Sequence, residues 1–127
     1  KQRDVTQEKD FAILTNEISK ATFGKTVEEY KQFKGLQKKN QNLRDHMTDW
    51  ELIFTMVGEK ASTDITKVRN AQGFDENKQA AQRGGQIASN ARKELEQETR
   101  ESVISKSNFL NLTERKKLQN KRKTDGP

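Results

Sequence analysis

The chain has 127 residues, of which 29% are hydrophobic and 35% charged, with a formal net charge of +6. Leu, Ile, Val and Phe make up about a fifth of it, which bounds the protein to one domain with a small core, frayed ends and room for a second chain to complete the packing. Without cysteine there is no disulfide framework, thiol nucleophile or Cys zinc site, and the longest apolar runs, "AIL" and "LIF", fall far below the ~20 residues of a membrane-spanning helix.

Lys1 is not an initiator methionine and no signal peptide is visible, so the sequence reads as a piece of a longer protein or a processed product, cytoplasmic by default. Residues 1–64 are charge-balanced; the basic excess lies in residues 65–127 and is densest in the tail "ERKKLQNKRKTDGP". The one proline is the terminal Pro127, and Lys, Glu, Gln and Ala are frequent, so the elements are expected to be helical.

The first helix is predicted from about Val5 to Thr22, with a stripe of Phe11, Leu14, Ile18 and Ala21 widened by Ile13 and a stop at Gly24. A second opens at Thr26, where Thr26 and Glu29 stand in capping-box positions, and ends near Gly35. Tyr30 and Phe33 are its apolar contacts. "LQKKNQNLRDH" is loop-like, anchored by Leu36 and Leu43. The third helix starts at a second capping box, Thr48 and Glu51, with Met47 and Leu52 placed as a hydrophobic staple. Met47, Trp50, Phe54, Val57, Ala61, Ile65 and Val68 then repeat at heptad-like spacing, broadened by Leu52, Ile53 and Met56. Such a seam serves either as the core of a small bundle or as a face for a partner or a second copy. Ser62, Thr63 and Asp64 are poor helix formers and are expected to interrupt this helix. After a break at "AQGFDENK", with Asp75 as N-cap, a long polar helix runs to about Thr99 with a narrow face of Ala80, Ala81, Gly84, Ile87, Ala88, Ala91 and Leu95. Gly84 and Gly85 should mark a kink, a break or close helix packing. "SVISKSNFLNL" is apolar enough to dock on the core, and a last helical turn begins at Thr113.

No residue set assembles catalytic chemistry. His46 is the only histidine and reads as a polar residue just outside a helix cap. A metal site would need clustered ligands, which scattered carboxylates do not offer. Glu94 and Glu98 read as surface, and "RGGQ" lacks the spacing and the Lys-Ser/Thr ending of a phosphate loop. Arg92 and Glu96 suit an i,i+4 pair. For nucleic acid, the sequence offers non-specific phosphate contact through Arg83, Arg92 and Lys93, and through Lys116, Lys117, Lys121, Arg122 and Lys123 of the tail.

Three segments, "DFAILTNEISKATFG", "FKGLQKKNQNLRDHMTDWELIFTMVGEKAST" and "NKQAAQRGGQIASNARKELEQETRESVISKSNFL", in this order, resemble the C-terminal region of BRO-type prophage antirepressors and DNA-damage-inducible protein D. The resemblance covers roughly residues 10–110. It implies that an N-terminal BRO domain, not represented in this sequence, supplies DNA binding, and that the present chain works in prophage induction or the DNA-damage response by binding a repressor or a DNA-repair protein. The pattern departs at Arg100, where a glycine is expected, and at Lys60, where an uncharged or acidic residue is expected. The expectation is therefore an all-α protein: a small irregular bundle of four to five helices over residues 1–112 and a disordered basic tail over 113–127. Its function would be non-enzymatic protein interaction or oligomerisation through Met47, Trp50, Phe54, Val57, Ala61 and Ile65. No cofactor, metal, membrane or small-molecule substrate is expected. The alternative is a nucleic-acid accessory module acting at the bacterial nucleoid through the basic half and tail.

Overall fold

In a computed structural model, which describes residues 8–38 and 40–106, every regular element is helical. Helix α1 spans Glu8–Phe23, α2 Val27–Phe33, a 3-10 turn Leu43–His46, α3 Asp49–Arg69 and α4 Gly73–Thr99. The starts of α2 and α3 follow from local chemistry. At α2 the Thr26 hydroxyl accepts from the Glu29 N–H (3.2 Å), and the Glu29 carboxylate accepts from the Thr26 N–H (2.8 Å). That backbone bond holds the Glu29 carboxyl below its ordinary pKa. Thr48 and Glu51 repeat the arrangement at α3. Helices α1 and α2 end where Gly24 and Gly35 turn to φ +76° and +77°.

Helix α4 ends on a residue less suited to that turn. Arg100, where the resemblance led to the expectation of a glycine, caps it at φ 61°, in the left-handed region. A side chain there costs roughly 1–2 kcal/mol, partly offset by glycine's larger unfolded-state entropy. Arg100→Gly is therefore expected to stabilise the chain by about 0.5–1 kcal/mol, read as a melting point raised by a few degrees; a lowered one would refute this.

Three expectations are corrected. Ser62, Thr63 and Asp64 do not break α3: the Ser62 and Thr63 hydroxyls bond back to the carbonyls of Gly58 and Glu59 (2.7 and 2.9 Å), so the helix runs on. Asp75 is not the N-cap of α4. The helix begins at Gly73, and Asp75 and Glu76 sit in its first turn, where their charge meets the positive end of the helix dipole. Phe11 and Ile13 do not fill the core: they are 53% and 40% exposed, and Phe11 borders a shallow cleft with Asn77 and Lys67.

Packing explains the rest. Helices α3 and α4 form an antiparallel hairpin, with Gly58 against Ala88 and Ser62 against Gly84. Helix α1 lies along one side of it, with Ile18 and Ala21 on Gly85. A Cβ on Gly84 would stand 2.5 Å from the Ser62 backbone nitrogen, and one on Gly85 would stand 2.8 Å from the Ile18 carbonyl oxygen. The two glycines thus mark close packing inside a continuous helix, not a kink. Larger apolar side chains gather at the other end of the hairpin, beneath α2 and the 3-10 turn: Phe23, Tyr30, Leu36, Leu43, Met47, Phe54 and Val103. Phe23 meets the Tyr30 ring edge-on at 5.1 Å.

Candidate functional site

The heptad-like seam of α3 does not survive as one surface. Each residue turns an α-helix by about 100°, and the side that meets α1 and α4 is set by Glu51, Phe54, Gly58 and Ser62. The seam is thereby divided. Met47 and Phe54 are core, 3% and 5% exposed. Val57, Ala61 and Ile65 are half-buried along the edge of the hairpin. Trp50 is 45% exposed and lies stacked on Phe54, ring centroids 5.6 Å apart. Beside it on α3, Ile53 and Met56 are 42% and 54% exposed, and α4 adds Ile87 at 37%. By helical phase, Trp50, Ile53 and Val57 lie on the side of α3 away from α1, and Ile87 and Ala91 on the side of α4 away from Gly85. Where α3 starts, Trp50 shares a cleft with Leu95 and Thr99 at the end of α4. The result is an apolar strip on the side of the hairpin that α1 leaves open.

Beneath the start of this strip lies a buried ionic cluster that the sequence did not reveal. Glu51 is fully buried, and its carboxylate serves four donors. It accepts from the Tyr30 hydroxyl, from Lys34 Nζ (2.8 Å), from the Thr48 N–H (2.8 Å) and from the Ser105 N–H (3.2 Å). Lys34 Nζ also donates to the Ser105 carbonyl at 2.8 Å, so the segment after α4 is strapped to α2 and α3. Only the capping role of Glu51 is local. Lys34 and Ser105 are 17 and 54 residues away from it, a separation at which no short pattern operates. The same segment buries Val103, as expected of "SVISKSNFLNL", whose residues from Ser107 onward lie outside the described residues.

Tyr30 is the only tyrosine. Burial, and then its bond to Glu51, push its hydroxyl well above the ordinary range. A raised folded-state pKa gives stability that is complete below the unfolded value of ~10 and is lost as pH rises above it. The ultraviolet titration of the native chain should show no tyrosinate near pH ~10, whereas the urea-unfolded chain should titrate there. Tyrosinate in the native chain should appear only as it unfolds; ordinary titration of the folded chain would contradict the burial.

His46 stands just outside the α3 cap, as expected, and is buried there, 2% exposed at the end of the 3-10 turn. One other residue is corrected. Arg92 cannot grip phosphate. It is 8% exposed, its Nε donates to the Thr22 carbonyl (2.9 Å), and its Nη1 is paired with Glu96 (2.9 Å). Glu96 in turn accepts from the Val103 N–H, so Arg92 ties α1, α4 and the strap together. Arg83 and Lys93 are exposed on α4, while Lys116, Lys117, Lys121, Arg122 and Lys123 lie outside the described residues. Glu94 and Glu98 are exposed, as expected.

Among the described residues no group of three or more His, Asp or Glu is placed to hold a metal ion, and no helix is long and apolar enough to cross a membrane. A cavity of about 370 Å³ opens between α1, α2 and the chain leading into the 3-10 turn, lined by Ile18, Phe23, Val27, Leu43 and Met47, with the Arg44–Glu59 ion pair at its rim. No protein-family model, curated protein or solved structure matches the chain.

Proposed function

We propose that this chain is a non-enzymatic protein-interaction and oligomerisation domain of a bacterial prophage antirepressor or DNA-damage-response regulator, and that its working surface is the strip around Trp50 and Ile53. The exposure of large apolar side chains, Trp50, Ile53 and Ile87 on a two-helix surface with Met56 at its margin, carries this reading. Apolar surface gains about 25 cal/mol per Å² on leaving water, and contiguous exposed patches mark contact sites. The chain spends few large apolar residues in total, so four held at the surface are a large share. The buried ionisable groups support the same reading, because Glu51, Lys34 and Arg92 direct their charges at one another and at backbone groups. The resemblance supplies the class of partner, a repressor or a DNA-repair protein.

A photo-crosslinking residue placed at position 53 in cells should capture protein, and one at the exposed position 79 of α4 should not. Equal capture at both positions, or none at 53, would defeat the proposal. Trp50→Ala should then weaken partner binding by about 2 kcal/mol, as at a hot spot. It should cost only about 1 kcal/mol of stability, because the ring is half exposed and rests chiefly on Phe54. A chain that captures no protein but binds DNA with a steep salt dependence would favour the nucleic-acid alternative.

A further inference from the structure

Resting on the reading of the α3/α4 strip as a docking surface, we infer that its occupant is a second copy of this chain, related by a two-fold axis that lies in the plane of the contact and crosses the strip at right angles to the helices near Ile53 and Val57. The charges around the apolar centre point to that partner. The start of α3 lies beside the end of α4, as the cleft shared by Trp50, Leu95 and Thr99 shows. The exposed charged groups in phase with the strip at that end are Asp49, Glu94 and Glu98, all acidic. The end of α3 lies beside the start of α4, where Ser62 meets Gly84. The exposed charged groups in phase there are Lys60, Lys67 and Arg83, accompanied by Asp64, which is bonded to Lys60 at 3.0 Å, and by Glu76, with the exposed Val68 among them. The strip thus has an apolar centre between an acidic end and an end of net positive charge.

A surface divided in this way is complementary to itself in one arrangement. A two-fold axis along the helices would lay acidic end on acidic end, which like-charge repulsion disfavours. A two-fold axis in the same plane but at right angles to the helices lays each acidic end on the other copy's basic end and brings the two Ile53 side chains together in the middle. Such a contact is isologous, the same patch serving both copies, and it closes at two. It also covers Trp50, Ile53 and Ile87 in a single step, which a chain with so small a core needs.

Light scattering on the 127-residue chain over a roughly hundredfold concentration range tests this. The mass should climb towards twice the 14.6 kDa of one chain. Over the same range the emission of Trp50, the only tryptophan, should shift to the blue as it loses water. Ile53→Asp should hold the mass at one chain and melt where the wild-type chain melts when diluted to monomer. The charge arrangement has its own test. Glu94→Lys with Glu98→Lys makes both ends basic, and Lys60→Glu with Arg83→Glu makes both acidic. Each variant alone should dimerise about tenfold more weakly or worse, and an equimolar mixture should restore association as a heterodimer. A mass constant at one chain, or a mixture that associates no better than its components, overturns the inference. If the monomeric chain still captures a different protein from position 53, the surface stands and the second copy falls. If position 53 captures nothing and the chain is monomeric, both fall.

Discussion

Glu51→Ala is expected to bring the domain to the edge of unfolding. The substitution leaves the Lys34 ammonium, whose side chain is wholly buried, without its carboxylate, and it strands the Tyr30 hydroxyl and the N–H groups of Thr48 and Ser105. Breaking a buried pair by removing one partner costs about 3–5 kcal/mol, and losing the capping box adds about 1 kcal/mol. Against a total stability of roughly 5–15 kcal/mol, that is most of the margin of a domain with a small core. Urea unfolding followed by helical circular dichroism reads the effect directly. Removing both charges separates pairing from packing: Lys34→Met combined with Glu51→Leu should be far less damaging than Glu51→Ala alone, because no buried charge is then orphaned. A Glu51→Ala midpoint within about 1 kcal/mol of wild type would show that water reaches the cluster and that it does not lock the fold.

Gly84→Ala should also be destabilising, with the opposite sign to what helix propensity predicts. In an exposed helix the change would stabilise by about 1 kcal/mol. Here the new Cβ would stand 2.1 Å from Ser62 Oγ, 2.5 Å from its backbone nitrogen and 2.7 Å from its Cα. Two of those three atoms are backbone, so α3 and α4 must move apart and the packing along both helices loosens. Overpacking of this kind costs about 1–3 kcal/mol, occasionally more, and a net destabilisation of about 2 kcal/mol is expected. Ser62→Ala in the same chain should not rescue it, because it removes only the hydroxyl oxygen. Gly58→Ala is the milder comparison: the nearest atoms to its Cβ are side-chain atoms, Thr22 Oγ1 at 2.9 Å and Ile18 Cγ2 at 3.0 Å, which have more room to give. A Gly84→Ala chain more stable than wild type would mean that α3 and α4 do not meet at Ser62 and Gly84.

The two capping boxes, the glycine stops at Gly24 and Gly35 and the anchoring of the loop by Leu36 and Leu43 were all legible in advance. Each depends on residues within a few positions of one another. The candidate surface was only half legible. The spacing of Met47 to Val68 identified the right helix, but hydrophobicity alone cannot say which apolar residue turns inward. Glycine and serine face α4 while tryptophan and isoleucine face water. Pattern reading ranks them the other way round, because it counts transfer free energy and not the closeness of approach that small residues permit. Arg92 was misplaced for a related reason: it was grouped with Lys93 as a basic pair, yet the side of α4 that carries it meets Thr22 of α1, seventy residues away.

The sequence by itself determined that the regular elements among the described residues are helical, where α2 and α3 begin and α1 and α2 end, and that some of its few large apolar residues lie on α3. These follow from backbone hydrogen bonding, left-handed turns and propensity, all of which act over a handful of residues. Tertiary structure decided which side of α3 is core, that Glu51 and Lys34 are buried together, and that Trp50, Ile53, Met56 and Ile87 are left exposed. Those outcomes depend on three helices meeting on glycine, alanine and serine, and helix-to-helix distance is a property of facing surfaces that no single stretch of chain contains.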